Sequence, residues 1–223
     1  MEITSVLKAR AILFIELDEL NREGKIRLAD CVQPLVEKYG FLGFPTKFED
    51  FDLDDKGTIF QSGKAGDVLI DTLKIYNGAI VMDTLTTTQN SESLALELLR
   101  WGKDHFGLTF SPDLIRRVGY ISHILFRTDF PLLAVSSSPA QRLAEKTSKV
   151  TERLFSGLKY VNHSVSIGHD PQVRKNTVAS FIIQHRANTL YEENKYYSEA
   201  PLPTDLHIQY LQEFEADVLE FQK

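Results

Sequence analysis

The stretch that most constrains the fold runs from Val68 to Thr88, where two apolar, β-branched runs flank Asn77-Gly78. A two-residue type I′ turn needs positive φ at both central positions, and Asn-Gly supplies it at little cost. With Asn77 and Gly78 as the loop, Tyr76 faces Ala79, Ile75 faces Ile80 and Leu73 faces Met82. Leu69, Leu73, Ile75, Ile80 and Met82 then share one face, expected to be core, with Asp71 and Thr84 as its polar pair. The other face carries Ile70, Tyr76, Val81 and Leu85 beside Thr72, Lys74 and Asp83, and is expected to be half-covered. A one-residue slip would exchange the two faces, so the turn sets the register of the sheet.

Around this hairpin the chain alternates strand and helix patterns. Ala11 to Leu17 is almost wholly apolar, as for a strand covered on both faces. Leu28, Cys31, Val32, Leu35, Val36 and Tyr39 follow helical spacing, with Pro34 inside the pattern as a kink or a start and Gly40 as a stop. Phe41 to Phe51 reads as an aromatic loop, either a lid on the core or a hydrophobic docking surface. A helix is expected from Glu92 to Phe106, capped by Ser91 and ended by Gly107, with Leu94, Leu98 and Trp101 inward. Val118 to Arg127 reads as a strand. Ser138-Pro139 opens a further helix, with Ser138 as N-cap, Gln141 completing a capping box, and Leu143, Thr147, Val150 and Leu154 facing inward up to Gly157. Tyr160 to Ile167 and Val178 to Arg186 read as strands, and Glu192 to Ala200 as an edge strand or ordered loop. Thr204 caps a last helix with an inner stripe of Ile208, Leu211, Phe214, Val218 and Phe221, and an outer face bearing Glu213, Glu215, Asp217 and Glu220. The expectation is an α+β fold, a mostly antiparallel sheet with a central hairpin and about four helices packed on it. It is expected to form one compact domain over residues 1–223, with a possible sub-division near residue 110.

Composition narrows the function classes. The chain has 31 acidic and 25 basic residues, a formal charge of −6. That disfavours a protein whose whole surface binds nucleic acid, while leaving room for a local basic patch. Its single cysteine, Cys31, excludes an internal disulfide and fits a reducing compartment. No apolar run approaches the ~20 residues of a membrane span. The expected location is the cytoplasm, and no cofactor is indicated.

Several patterns carry part of a site's chemistry. Asp52 to Gly63 resembles part of a calcium loop, with acidic residues at positions one and three and Gly57 at six. Lys56 and Gly63, however, stand where ligands are needed. Gly57 to Lys64 has the wrong spacing for a phosphate-binding P-loop, and Ala65 follows the lysine. His123, His163 and His185 each lie on an apolar face of an expected strand. Three such imidazoles brought together would bind zinc or iron with an open position for water, and His169 with Asp170 would add a ligand or base. Arg142, Lys146, Lys149 and Arg153 recur at four, three and four residues, making a basic stripe that Lys159, Arg174 and Lys175 extend.

Three functional readings follow. The first is a non-enzymatic protein acting through protein contacts or self-association, as a subunit of a larger assembly. The second is binding of nucleic acid, or of an acidic protein surface, through Arg142, Lys146, Lys149 and Arg153. The third is a metal-dependent enzyme using His123, His163 and His185.

Overall fold

In a computed structural model, which describes residues 1–152, 159–170, 172 and 178–221, the chain is α+β. Its elements run β1 (Glu2–Phe14), α1 (Leu17–Leu20), α2 (Leu28–Tyr39), β2 (Thr58–Ala65), β3 (Val68–Tyr76), β4 (Ala79–Thr84) and α3 (Thr88–Phe106). They continue with β5 (Arg117–Arg127), α4 (Leu132–Val135), α5 (Ser138–Thr151), β6 (Ser164–Ile167), β7 (Phe181–His185), β8 (Lys195–Ala200) and α6 (Thr204–Glu220). The strands form an antiparallel sheet in the order β2-β3-β4-β1-β5-β8-β7-β6. Two compact units divide the chain. The hairpin unit comprises Val6–Ser122 and Leu202–Thr204; the histidine unit comprises Met1–Ser5, His123–Pro201 and Asp205–Lys223. Among the described residues no helix is long and apolar enough to cross a membrane.

In the hairpin unit, β3 and β4 pair with Tyr76 opposite Ala79, Ile75 opposite Ile80 and Leu73 opposite Met82. The expected register is therefore the observed one near the turn. The turn itself differs, because neither Asn77 nor Gly78 has a positive φ. Outside bonds hold this turn: Asn77 donates its N–H to the Leu53 carbonyl at 2.9 Å and accepts from Leu17 at 2.8 Å. The register then shifts between Ile70 and Thr72. This bulge inserts Asp71 as an extra residue and reverses the alternation beyond it. Ile70 is consequently fully buried and Leu69 is half-exposed, the reverse of their expected faces. Thr84 stands opposite Ile70 and its hydroxyl lies 2.9 Å from that of Ser91.

The first strand begins well before Ala11. Arg10 stands opposite Asp83 across β1 and β4, and its guanidinium reaches both carboxylate oxygens at 2.6 and 2.7 Å. This pairing satisfies a carboxylate that is 1% exposed. Helix α2 buries Cys31, Val32, Leu35 and Tyr39, runs through Pro34, and ends at Gly40 with φ 63°. Helix α3 starts earlier than expected. Thr87 is the cap, accepting from the Asn90 amide, while Ser91 lies inside the helix and donates to the Ala9 carbonyl at 2.7 Å. Its buried residues include Ala95, Leu98, Leu99 and Gly102, and it ends at Gly107 with φ 75°. Leu94 and Trp101 pack on the core edge.

The histidine unit has its own core of Ile124, Phe126, Leu132, Leu133, Ile183, Tyr196, Leu211 and Val218. Strand β7 lies between β6 and β8, with Val165 opposite Ile183 and Ile183 opposite Ser198. The segment expected as an edge strand or loop thus supplies the interior strand β8. In α6, Leu211 and Val218 are buried as expected, but Phe221 is exposed.

Candidate functional site

The expected three-histidine constellation separates in the structure. His163 and His185 meet: the His185 amide donates to the His163 carbonyl at 3.1 Å, and their ring centroids are 6.4 Å apart. Both contact Tyr191. His163 Nδ1 lies 3.0 Å from the Tyr191 hydroxyl, and the His185 ring lies 4.2 Å from the Tyr191 ring. His185 Nε2 faces the Leu190 carbonyl at 3.2 Å, so that nitrogen carries the proton. His123, on β5, instead contacts the Tyr197 ring at 5.6 Å and Glu199 at 3.6 Å. Strand β8 lies between β5 and β7, which keeps His123 from the other pair. Among the described residues no group of three or more His, Cys, Asp and Glu is placed to hold a metal ion. His169 bonds locally, to the Asp170 carbonyl and the Val178 amide.

The calcium-like loop is an acidic turn. Asp52 accepts the amides of Asp54 and Asp55 at 3.0 and 2.9 Å, and these backbone bonds hold its carboxyl below the usual range. Asp54 accepts from the Asn77 side chain at 2.6 Å. Both carboxylates are committed to shaping the turn.

One close Ser-His pair escaped sequence reasoning. Ser198 and His207 approach to 2.8 Å, and both are fully buried. Ser198 gives its proton to the Ile182 carbonyl at 2.7 Å, so His207 Nε2 donates to the serine oxygen. The histidine therefore faces the serine as a donor, and this geometry is structural rather than nucleophilic.

The exposed chemistry of the histidine unit gathers on α5 and the cleft beside it. Ser137 caps α5, accepting the Ala140 amide, one residue before the expected cap. Gln141 reaches Glu145 instead of closing a capping box. None of the helix's fourteen residues is buried. Leu143 and Val150, expected inside, are 67% and 64% exposed. Ala140, Gln141, Ala144, Thr147, Ser148 and Thr151 are the half-buried positions, so the packed stripe keeps the expected Thr147 but leaves out Leu143 and Val150. Arg142, Lys146 and Lys149 are exposed alongside, and none forms an ion pair among the described residues. Arg153, Leu154, Gly157, Arg174 and Lys175 lie outside the described residues. Gln141 also lines a cleft of about 410 Å³ with Lys159, Asn162, His185, Tyr191 and Asn194. The side-chain amide oxygens of Gln141 and Asn194 are buried without a hydrogen-bond partner among the described residues.

Helix α6, in the same unit, presents the opposite charge. Glu213, Asp217 and Glu220 are exposed at a spacing of four and three residues, the same spacing as Arg142, Lys146 and Lys149. Tyr210 and Leu219 are exposed near them. Comparison of the chain with protein-family models and with curated proteins returns no match.

Proposed function

We propose that this is a non-enzymatic assembly protein whose α5 docks on an acidic helix of a partner chain, the partner being α6 of a second copy. The single observation carrying this reading is α5: a fourteen-residue helix with no buried residue, showing an apolar and a basic stripe together. An open apolar stripe rimmed by charge is a usual form of a helix-docking surface. The matching i, i+4, i+7 acidic stripe of α6 supports the choice of a second copy, since complementary charge sets partner choice and register.

The test is sedimentation analysis across a concentration series. The intact chain is expected to associate, and K146E with K149E to abolish association. E213K with D217K is expected to abolish it too, and mixing the two reversed proteins to restore it. A monomer at every concentration, or association indifferent to these reversals, refutes the reading. The open basic stripe also favours a second reading, binding of a phosphate backbone. Nucleic acid that co-purifies, is released steeply with salt, and depends on Lys146 and Lys149 but not on α6 would put that reading in its place.

A further inference from the structure

The hairpin unit contains a cavity of about 210 Å³ among α1, α2, α3 and the tip of the β3–β4 hairpin. Leu20, Leu35, Ile80, Leu99, Trp101 and Phe106 form its apolar walls, and Cys31 contributes from α2. Among the described residues Asp18 is the one charged group lining it, and it is exposed. The lining amides are engaged elsewhere. Asn21 bonds both the carbonyl and the amide of Ile26, and Asn77 bonds Asp54. The Cys31 thiol lies 3.7 Å from the Arg27 carbonyl, and burial pushes its pKa up to about 11, so it meets the cavity as a neutral, weakly polar group.

The walls are tied to one another. Thr109 donates to the Leu20 carbonyl at 2.7 Å, and Leu17 to the Asn77 carbonyl at 2.8 Å. The space is therefore built into the resting fold, as small-molecule pockets usually are. An apolar cavity of roughly 150 Å³ accepts benzene, so this one has room for a ring with a short alkyl substituent.

We infer that this cavity is a binding site for a compact apolar molecule, a ring or branched hydrocarbon group, whose polar end, where it has one, is neutral or cationic and lies toward Asp18. The site is separate from the α5 surface and does not depend on the assembly reading.

The chain carries its own reporters, because Trp101 is its only tryptophan and Cys31 its only cysteine. Propylbenzene is the neutral probe, with phenylpropylamine and phenylpropionate as its cationic and anionic counterparts. Propylbenzene is expected to change Trp101 emission saturably and to slow alkylation of Cys31 by N-ethylmaleimide at alkaline pH. C31L and L28F, which fill the space from neighbouring positions on one face of α2, are expected to weaken binding about tenfold each, the equivalent of ~50–60 Å² of lost apolar contact. The amine is expected to bind more tightly than the carboxylate, and D18N to remove that preference. A non-saturating emission change, or saturable binding that survives both fillings, overturns the site. Equal binding of amine and carboxylate overturns the assignment of Asp18 to the ligand's polar end. L28F keeps both reporters and C31L keeps the fluorescence, so either variant alone reads the outcome if the other fails to fold.

Discussion

Lowering the pH should destabilise the histidine unit through one residue, His207. It is fully buried, and desolvation lowers its pKa from 6.5 to about 4, with the nearby His123 adding to the shift. Because the folded value is depressed, the unfolded chain takes up the proton first. The stability is present above pH 6.5 and is lost as pH falls from there to about 4, with no further loss from this group below. Linkage over that window amounts to about 3 kcal/mol in all, and about 2 kcal/mol of it falls between pH 7 and pH 5. Groups facing His207 include Ser198 on β8, the Phe181 ring at 5.2 Å and His123, itself 3.6 Å from Glu199. The perturbation is H207Q, which keeps an N–H donor for the Ser198 oxygen. Hydrogen exchange of β8 and α6 amides across a urea series reads the opening free energy of this unit at both pH values. Between pH 7 and pH 5 the parent chain should lose about 2 kcal/mol more than H207Q. Carboxylates titrating nearby are common to both proteins and cancel in the comparison. Parallel losses in the two proteins would refute the assignment.

Two further perturbations probe the hairpin unit, where urea unfolding is read by Trp101 fluorescence. R10M leaves the buried Asp83 carboxylate with only Lys8 at 3.9 Å and should cost about 3–5 kcal/mol, while R10M with D83L should recover most of it; a single-variant cost under about 1 kcal/mol would contradict the pairing. G63A places a Cβ 2.6 Å from the Phe41 ring and should cost about 1–3 kcal/mol by overpacking, and F41L should relieve it; an unchanged midpoint for G63A would show that the ring yields freely.

Pairing of the central hairpin was legible because short-range alternation and an Asn-Gly turn agree on it. The bulge at Asp71 was not, since one inserted residue reverses the faces without leaving a mark in a run as apolar as Val68 to Tyr76. Strand β8 was obscured because a serine stands in its buried row. Tyr196, Ser198 and Ala200 alternate inward, and Ser198 is admissible there because Ile182 and His207 satisfy its hydroxyl. His207 is inconspicuous in the sequence for a related reason. It lies four residues before Leu211, on the buried stripe of α6, but its only signal was position. The histidine trio failed on strand order, which periodicity does not encode. Strands β6 and β7 are neighbours, so His163 and His185 meet, whereas β8 separates β5 from β7.

Helix α5 shows how local and tertiary determinants can part company. Its helicity is written locally: Ser137 caps it and Pro139 lies in its first turn. None of these terms requires burial, so a correct helix prediction still placed Leu143 and Val150 on the wrong side of it. A helix of this length is marginal in water on local terms alone. It leaves Leu143 and Val150 mostly exposed, where full burial of both would contribute about 2–4 kcal/mol. A surface left open by the described residues is the kind that association can claim. The basic residues beside it repeat at the spacing of the acidic residues on α6, and the proposed docking rests on that match.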